Sequence, residues 1–478
     1  MSKTAAVGVV VLLLVGAGVF GATAVAGQEG VAEGPTVYVG SDDATLYAAD
    51  AETGELAWRF TEPEGRVSAS PVVVDGAVYF GDWGGTLYAI DAETGEREWR
   101  FVEPESDVFS SVTVVNETAY VGSQEGFDGA VYAVDAATGA LEWRFAEPEE
   151  QIASTPTAVG GRVFVGSIDG TLYAIDAETG EREWRFTEPN GSVVSSPTVA
   201  GESVFFGTLN GSMYAVDAVT GEKSWELETD AVISSPTVAD RTVYVGTSAV
   251  QEDELGGTLL AVDAETGAVE WDFVEPMSWI RSSPTVADGV VYIGSVDTNM
   301  YAVAAETGEH VWTFTEPSGQ VLSSPSVAGG TVFVGSNDGT LYTVDAETGE
   351  PVWRFVESSE GVFSSPTVVE EISGDSTDSR VLLGTLNHHD DMRAGEMLTA
   401  EDLGGFETVR RLTLPSANDA EAWDELRSAA YGGDVPEVVR HDIGDDEEPW
   451  IFVVTVVVAL VALLVGTGVA VWREYKMK

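Results

Sequence analysis

One unit of about 41 residues, repeated eight times, limits this chain more than any other feature it has. Trp58, Trp99, Trp143, Trp184, Trp225, Trp271, Trp312 and Trp353 mark the copies, at spacings of 41, 44, 41, 41, 46, 41 and 41 residues. A fixed period of this size implies one supersecondary unit per copy, each burying its apolar face against the next, as in a β-propeller or another repeat array.

Within a copy the apolar residues alternate, as in Thr171-Leu-Tyr-Ala-Ile175 and Arg162-Val-Phe-Val-Gly166, which predicts strands with one buried face. Four strands fit into one copy: Ser195-Ser-Pro-Thr-Val-Ala200, Ser203-Val-Phe-Phe-Gly207, Ser212-Met-Tyr-Ala-Val-Asp217 and Glu222-Lys-Ser-Trp-Glu-Leu227. Between the second and third strands stand Asp169-Gly170, Asn210-Gly211 or Asp338-Gly339. Such pairs accept positive φ at both positions and predict a tight hairpin there. The next turn is Asp176-Ala-Glu-Thr-Gly180 and its relatives, in which Asp caps amides two or three residues on and Gly takes a left-handed position. Each marker Trp is then expected to pack on the neighbouring unit. In the seventh copy Ala304 replaces that Asp, so its turn is expected to be weaker by about 1 kcal/mol.

The pattern Ala174-Ile-Asp-Ala-Glu-Thr-Gly-Glu-Arg-Glu-Trp184 resembles the tryptophan-docking motif of the eight-bladed quinoprotein propellers, the pyrroloquinoline quinone (PQQ)-like repeat family, over about residues 36–370. The resemblance implies an all-β fold: an eight-bladed β-propeller of four-stranded antiparallel blades, with the eight tryptophans as structural docking residues. Its functional implications divide between calcium- and PQQ-dependent alcohol dehydrogenases and cofactor-free assembly lipoproteins. Chain order suggests how the ring closes. Pro35-Thr-Val-Tyr-Val-Gly40 matches a second strand, so Val362-Phe-Ser-Ser-Pro-Thr-Val-Val369 would join the N-terminal strands as the first strand of their blade and remove the open edges. A degenerate final copy, residues 380–412, competes for that place.

Eighty acidic residues against 22 basic ones give a net charge of -58, which argues against nucleic acid as a partner. Because the acidity runs through every repeat, it points to a halophilic, archaeal source, where high salt screens self-repulsion, with cation binding on an acidic face as the competing explanation. Cysteine is absent, which excludes disulfides and Cys-based metal sites or nucleophiles.

Residues 1–27 read as a signal peptide or an N-terminal anchor. After the propeller, placed at residues 35–412, an acidic linker with a short helix covers 413–449. Residues 450–472, bounded by Trp450 and Trp472, read as a transmembrane helix, and 473–478 as a cytoplasmic tail. Arg473, Lys476 and Lys478 after the span, against Asp445 to Glu448 before it, place the propeller outside a cell membrane crossed once.

In a four-stranded blade the second-to-third turn and the blade-to-blade connection share one face. The insertions Gln124–Asp128 and Ser248–Leu255 fall there, as do Glu62-Pro, Glu103-Pro, Glu147-Pro, Glu188-Pro, Glu275-Pro and Glu316-Pro. Trp83, Phe127 and Trp279 are the candidate recognition residues of this face, with packing on a neighbouring blade as the alternative. Asn116, Asn190 and Asn210 head possible glycosylation triplets. No catalytic residue, metal ligand set, P-loop or dinucleotide fingerprint emerges, and His388-His-Asp-Asp391 reads as a solvated loop. The quinoprotein dehydrogenases carry an adjacent cysteine pair over their cofactor, and this chain has none. The expectation is a scaffold bound to the membrane by its C-terminal helix, recognising a protein or small-molecule ligand without a cofactor. The alternative is a membrane-bound dehydrogenase of alcohols or sugars using PQQ and calcium.

Overall fold

The computed structural model describes residues 34–104, 108, 110–125, 128–249, 256–370 and 380–383. The segments 1–33 and 384–478, and with them the signal, linker and membrane-span expectations, lie outside the described residues. Among the described residues no helix is long and apolar enough to cross a membrane.

Eight antiparallel sheets form the structure, seven of four strands and one of five. Blade 1 comprises Val72–Val74, Ala77–Gly81, Leu87–Asp91 and Arg97–Phe101. Blades 2 to 7 repeat it in sequence order, ending with Pro351–Phe355. Blade 8 is composite: Thr367–Glu370 pairs with Thr36–Ser41, which continues through Thr45–Asp50 to Leu56–Phe60. The register sets Thr36 opposite Val369 and Tyr38 opposite Thr367. First strands of successive blades touch all the way round, so they line the axis and the fourth strands form the rim. Arg380–Leu383 does not displace the N-terminal strands. It adds to the free edge of Thr367–Glu370, Val369 opposite Val381, and touches the first strands of blades 7 and 1, which puts this segment on the axial side.

The expectation of one buried face needs correction. Leu172–Ile175 and Val163–Gly166 are buried at every position, whereas fourth strands such as Leu141–Phe145 alternate. A blade in a closed ring has a neighbour on each face, so its middle strands are covered twice. Accordingly the apolar core lies between blades. One cluster joins Tyr38, Trp58 and Phe60 of blade 8 to Val78, Phe80 and Tyr88 of blade 1, and equivalent clusters fill the other junctions.

A second correction concerns the hairpins. At Asp169-Gly170 only the glycine has positive φ, 84°, and Ser167 exchanges backbone hydrogen bonds with Thr171 and Gly170. That is a three-residue loop, a turn closed by one left-handed residue. The two-residue turns with positive φ at both positions join first and second strands instead, as at Asn116-Glu117 (51° and 65°) and Asp240-Arg241 (49° and 68°). The first insertion is regular: Thr118–Glu125 and Asp128–Asp135 continue the hairpin as longer strands, with Glu125 opposite Asp128.

Serine hydroxyls tie the inner ends together. The amide of Ser70 donates to Ser111 Oγ (3.0 Å) and that of Ser111 to Thr155 Oγ1 (3.0 Å). The relay continues through Ser196, Ser235, Ser283, Ser324 and Ser365, and the Ser365 amide returns to Ser70 Oγ at 2.9 Å. These buried donors have no strand partner, and each is satisfied by the neighbouring blade.

Candidate functional site

Every marker tryptophan makes the same contact with the following blade. Trp58 Nε1 donates to the Ala92 carbonyl (3.1 Å), Trp99 to Ala136 (2.8 Å), Trp143 to Ala177 (2.9 Å) and Trp184 to Ala218 (3.2 Å). Trp225, Trp271 and Trp312 repeat it with Ala264, Ala305 and Ala346, and Trp353 reaches Ala51. The acceptor follows the turn aspartate, and the turn glycine lies flat against the indole: a Cβ on Gly95 would come within 2.8 Å of Trp58. Glycine is needed there twice over, for its φ of 69° and for the close approach. Asp176 Oδ1 holds the turn by accepting from the Thr179 amide and hydroxyl, both at 2.8 Å. These bonds keep its carboxyl below the usual aspartate range, as they do at Asp263 and Asp345. At Ala304 the side-chain bonds are gone, while the Gly308 amide still donates to the Ala304 carbonyl at 2.9 Å.

The second-to-third loops and the blade-to-blade connections meet on one face, through a repeated carboxylate. Asp169 Oδ2 accepts from the Glu149 amide of the incoming connection (3.2 Å) and from the Tyr173 hydroxyl (3.0 Å), and Oδ1 from the Thr171 amide (2.8 Å). Asp297 and Asp338 repeat the arrangement with Met277 and Ser318. Burial, aided by Asp169, raises the Tyr173 hydroxyl to about 12, so it remains a donor.

Blade 1 does the same job from a different position, one that sequence reasoning missed. Asp82 stands where other blades have Ser or Thr (Ser41, Ser123, Ser167, Thr208, Thr247, Ser295, Ser336), and Gly84 stands at the usual aspartate position. Asp82 is fully buried, yet it accepts from the amides of Glu64 (3.1 Å), Gly84 (3.0 Å) and Thr86 (2.9 Å). Burial raises its carboxyl above the ordinary value, with the backbone donors working against that shift. Aligning the copies column by column would have exposed it.

Trp83 follows Asp82 on this loop, half-buried, with the Arg66 guanidinium 5.0 Å from its ring. Arg66 is also paired with Asp42 at 3.1 Å. On the connection from blade 5 to blade 6, Trp279 sits half-buried under Arg281 (4.9 Å) and donates from Nε1 to the Ala249 carbonyl at 2.8 Å. Both tryptophans lie on the loop-rich face as arginine-stacked pairs. They occupy different junctions, blade 8 to blade 1 and blade 5 to blade 6, and do not meet. Phe127 lies outside the described residues.

All six Glu-Pro prolines are buried while the glutamates are exposed. Glu62, Glu147 and Glu188 pair with Arg97, Arg182 and Lys223 of the next blade, surface contacts of small energetic weight. Asn116 is exposed on the opposite face, in a first-to-second turn. Asn190 and Asn210 are exposed neighbours on the loop-rich face, the Asn210 amide donating to the Asn190 carbonyl.

No cluster of three or more His, Cys, Asp or Glu with metal-binding geometry occurs among the described residues, and Arg380–Leu383 lies on the axial side of blade 8. His388 to Asp391 lie outside the described residues.

The model of the family described as outer membrane protein assembly factor BamB matches residues 16–127, 127–274 and 255–385, most of the chain, which therefore belongs to that family. No curated protein sequence matches it significantly. Among solved structures it is similar to BamB from Moraxella catarrhalis (20% identity, 64% of this chain and 89% of that one, TM-score 0.53). It is also similar to the computationally designed Ika8 protein (18%, 66% and 95%, TM-score 0.55). A third similar structure is the quinohemoprotein alcohol dehydrogenase ADHIIG from Pseudomonas putida HK5 (18%, 64% and 69%, TM-score 0.52). At these identities the likeness concerns the fold.

Proposed function

We propose that this member of the BamB-described propeller family is a non-catalytic binding scaffold, held outside the cell membrane by its C-terminal helix and presenting its loop-rich face to a protein partner. The observation that carries this reading is the pair of half-exposed, arginine-stacked tryptophans, Trp83 with Arg66 and Trp279 with Arg281, on the face where the inter-blade connections converge. Such amphipathic aromatic and guanidinium surfaces are the residue types over-represented at binding hot spots. The chain's net charge of -58 further selects partners that are basic where they touch.

The dehydrogenase reading has the shared fold in its favour and the lack of an adjacent cysteine pair in this chain against it. The two readings separate by experiment. A photo-crosslinking amino acid is placed at Trp83 and Trp279 on the loop-rich face, and at Asn116 on the opposite face, in the intact protein in its own membrane at high salt. The scaffold predicts one discrete crosslinked species from the first two sites and none from the third. Equal labelling from both faces, or dye reduction by the purified protein after loading with PQQ and calcium, would overturn it.

A further inference from the structure

At seven of the eight junctions a phenylalanine of one blade meets a tyrosine of the next edge-on, with ring centroids 5.4–5.8 Å apart and interplanar angles of 66–70°. At the junction of blades 4 and 5 both rings are missing: Leu227 stands at the phenylalanine position and Leu260 at the tyrosine position. Two more substitutions accompany them. Val269 occupies the fourth-strand position that holds Arg97, Arg182 and Lys223 elsewhere, and the connection carries Thr229-Asp230 in place of Glu-Pro.

The result is a notch of about 200 Å³ whose wall includes Leu227, Leu260, Val269 and Thr258, with Glu228 and Asp230 beside it. Where Tyr214 is 3% and Tyr301 4% exposed, Leu260 remains partly open and Val269 is 45% exposed. Neither Glu228 nor Asp230 has an ion-pair partner among the described residues. The volume is below that of a drug- or cofactor-sized pocket and suits a single side chain. The ring itself specifies what fits: the lining lacks an aromatic pair and a cation that three other blades supply from within.

We infer that the notch between blades 4 and 5 is a docking site for a peptide segment of a partner that inserts one aromatic side chain between Leu227 and Leu260 and sets an adjacent Lys or Arg against Glu228 and Asp230. This rests on the scaffold reading and gives it a place and a chemistry. Aromatic burial supplies the attraction and survives high salt, while the cation, screened over a few ångströms at molar salt, sets the orientation.

The test uses full-length protein and three blocked tripeptides, Lys-Phe-Lys, Lys-Ala-Lys and Glu-Phe-Glu, with binding read from the methyl resonances of Leu227, Leu260 and Val269, which all line the notch. Lys-Phe-Lys is expected to shift both leucines and to bind at least about tenfold more tightly than either control. L227F/L260Y, which restores the pair found at the other junctions and keeps Val269 as the reporter, should abolish the Val269 shift while melting at or above the parent temperature. V269R, an exposed substitution that puts back the missing cation, should weaken Lys-Phe-Lys alone and needs no repacking. Equal binding of Lys-Ala-Lys, or Lys-Phe-Lys binding that V269R leaves unchanged, overturns the inference. If crosslinking from Trp83 and Trp279 persists in L227F/L260Y, the scaffold stands and only the notch fails.

Discussion

Trp353 Nε1 donates to the Ala51 carbonyl at 3.2 Å, although the two residues are 302 positions apart in the chain. The same bond links residues 34 apart at Trp58 and Ala92. Closure of the ring therefore repeats a local contact between distant segments, and the geometry does not register which kind it is.

Substitution of Trp353 tests that equivalence. W353F keeps a ring over Gly54 and loses one hydrogen bond, at a cost of about 1 kcal/mol. W353A empties the junction and should cost about 3 kcal/mol or more. Thermal unfolding should give W184F and W184A the same ranking. A tolerated W353A beside a crippling W184A would mean that blade 8 does not close as described.

The serine relay makes a prediction about one amide. S365A removes the acceptor of the Ser324 N–H, 3.0 Å away, leaving a buried donor unpaired at about 1–3 kcal/mol. Hydrogen exchange at Ser324 should accelerate much more than at Ser111, whose acceptor is Thr155. Unchanged exchange at Ser324 would count against a continuous relay.

Thr298 takes the glycine place in the hairpin of blade 6, with φ at 76°. A β-branched residue is strained there, so T298G should stabilise the protein by about 1 kcal/mol. T298A should gain less, because a Cβ remains. Chemical denaturation compares the two, and a loss of stability in T298G would contradict the assignment of strain.

Asp82 and Gly84 together replace the Ser and Asp of other blades. D82S alone should destabilise by about 1–3 kcal/mol, since it orphans the amides of Glu64 and Thr86. D82S/G84D, which rebuilds the arrangement seen at Asp169, should recover most of the loss. No recovery would show that the two layouts are not interchangeable.

The turn carboxylates fix a sign with pH. Asp176, Asp217, Asp263 and Asp345 have values held below the ordinary 3.8 by the Thr hydroxyl and amide that follow. Their stabilisation is complete above that value and is lost as pH falls below it, through the depressed folded-state value. A304D adds the carboxylate at the one copy that lacks it, an eighth such turn beside the seven already bonded this way, so its melting temperature should exceed the parent's at neutral pH and converge on it in acid. An advantage that persists at the lowest pH would rule out the carboxylate as its cause.

Repeat length, blade count and the composite eighth blade were legible in the chain because an indole every 41 residues or so and an N-terminus starting at a second strand are local, countable facts. Asp82, by contrast, is one acidic residue among 80. Its role depends on which amides surround it, and one of them, that of Glu64, comes from a connection 18 residues away. The hairpin type was misread for a related reason: Asp169-Gly170 is compatible with two loop lengths, and strand register chooses between them.

Periodicity and turn chemistry act within a few residues, so sequence alone determined the unit, its four strands and their number. What lies between blades was decided only in three dimensions. Burial of the middle strands on both faces, the serine relay, the axial place of Arg380–Leu383 and the notch left by Leu227 and Leu260 all require a neighbour to be present. A missing ring becomes an opening only after closure has brought both leucines to the same junction.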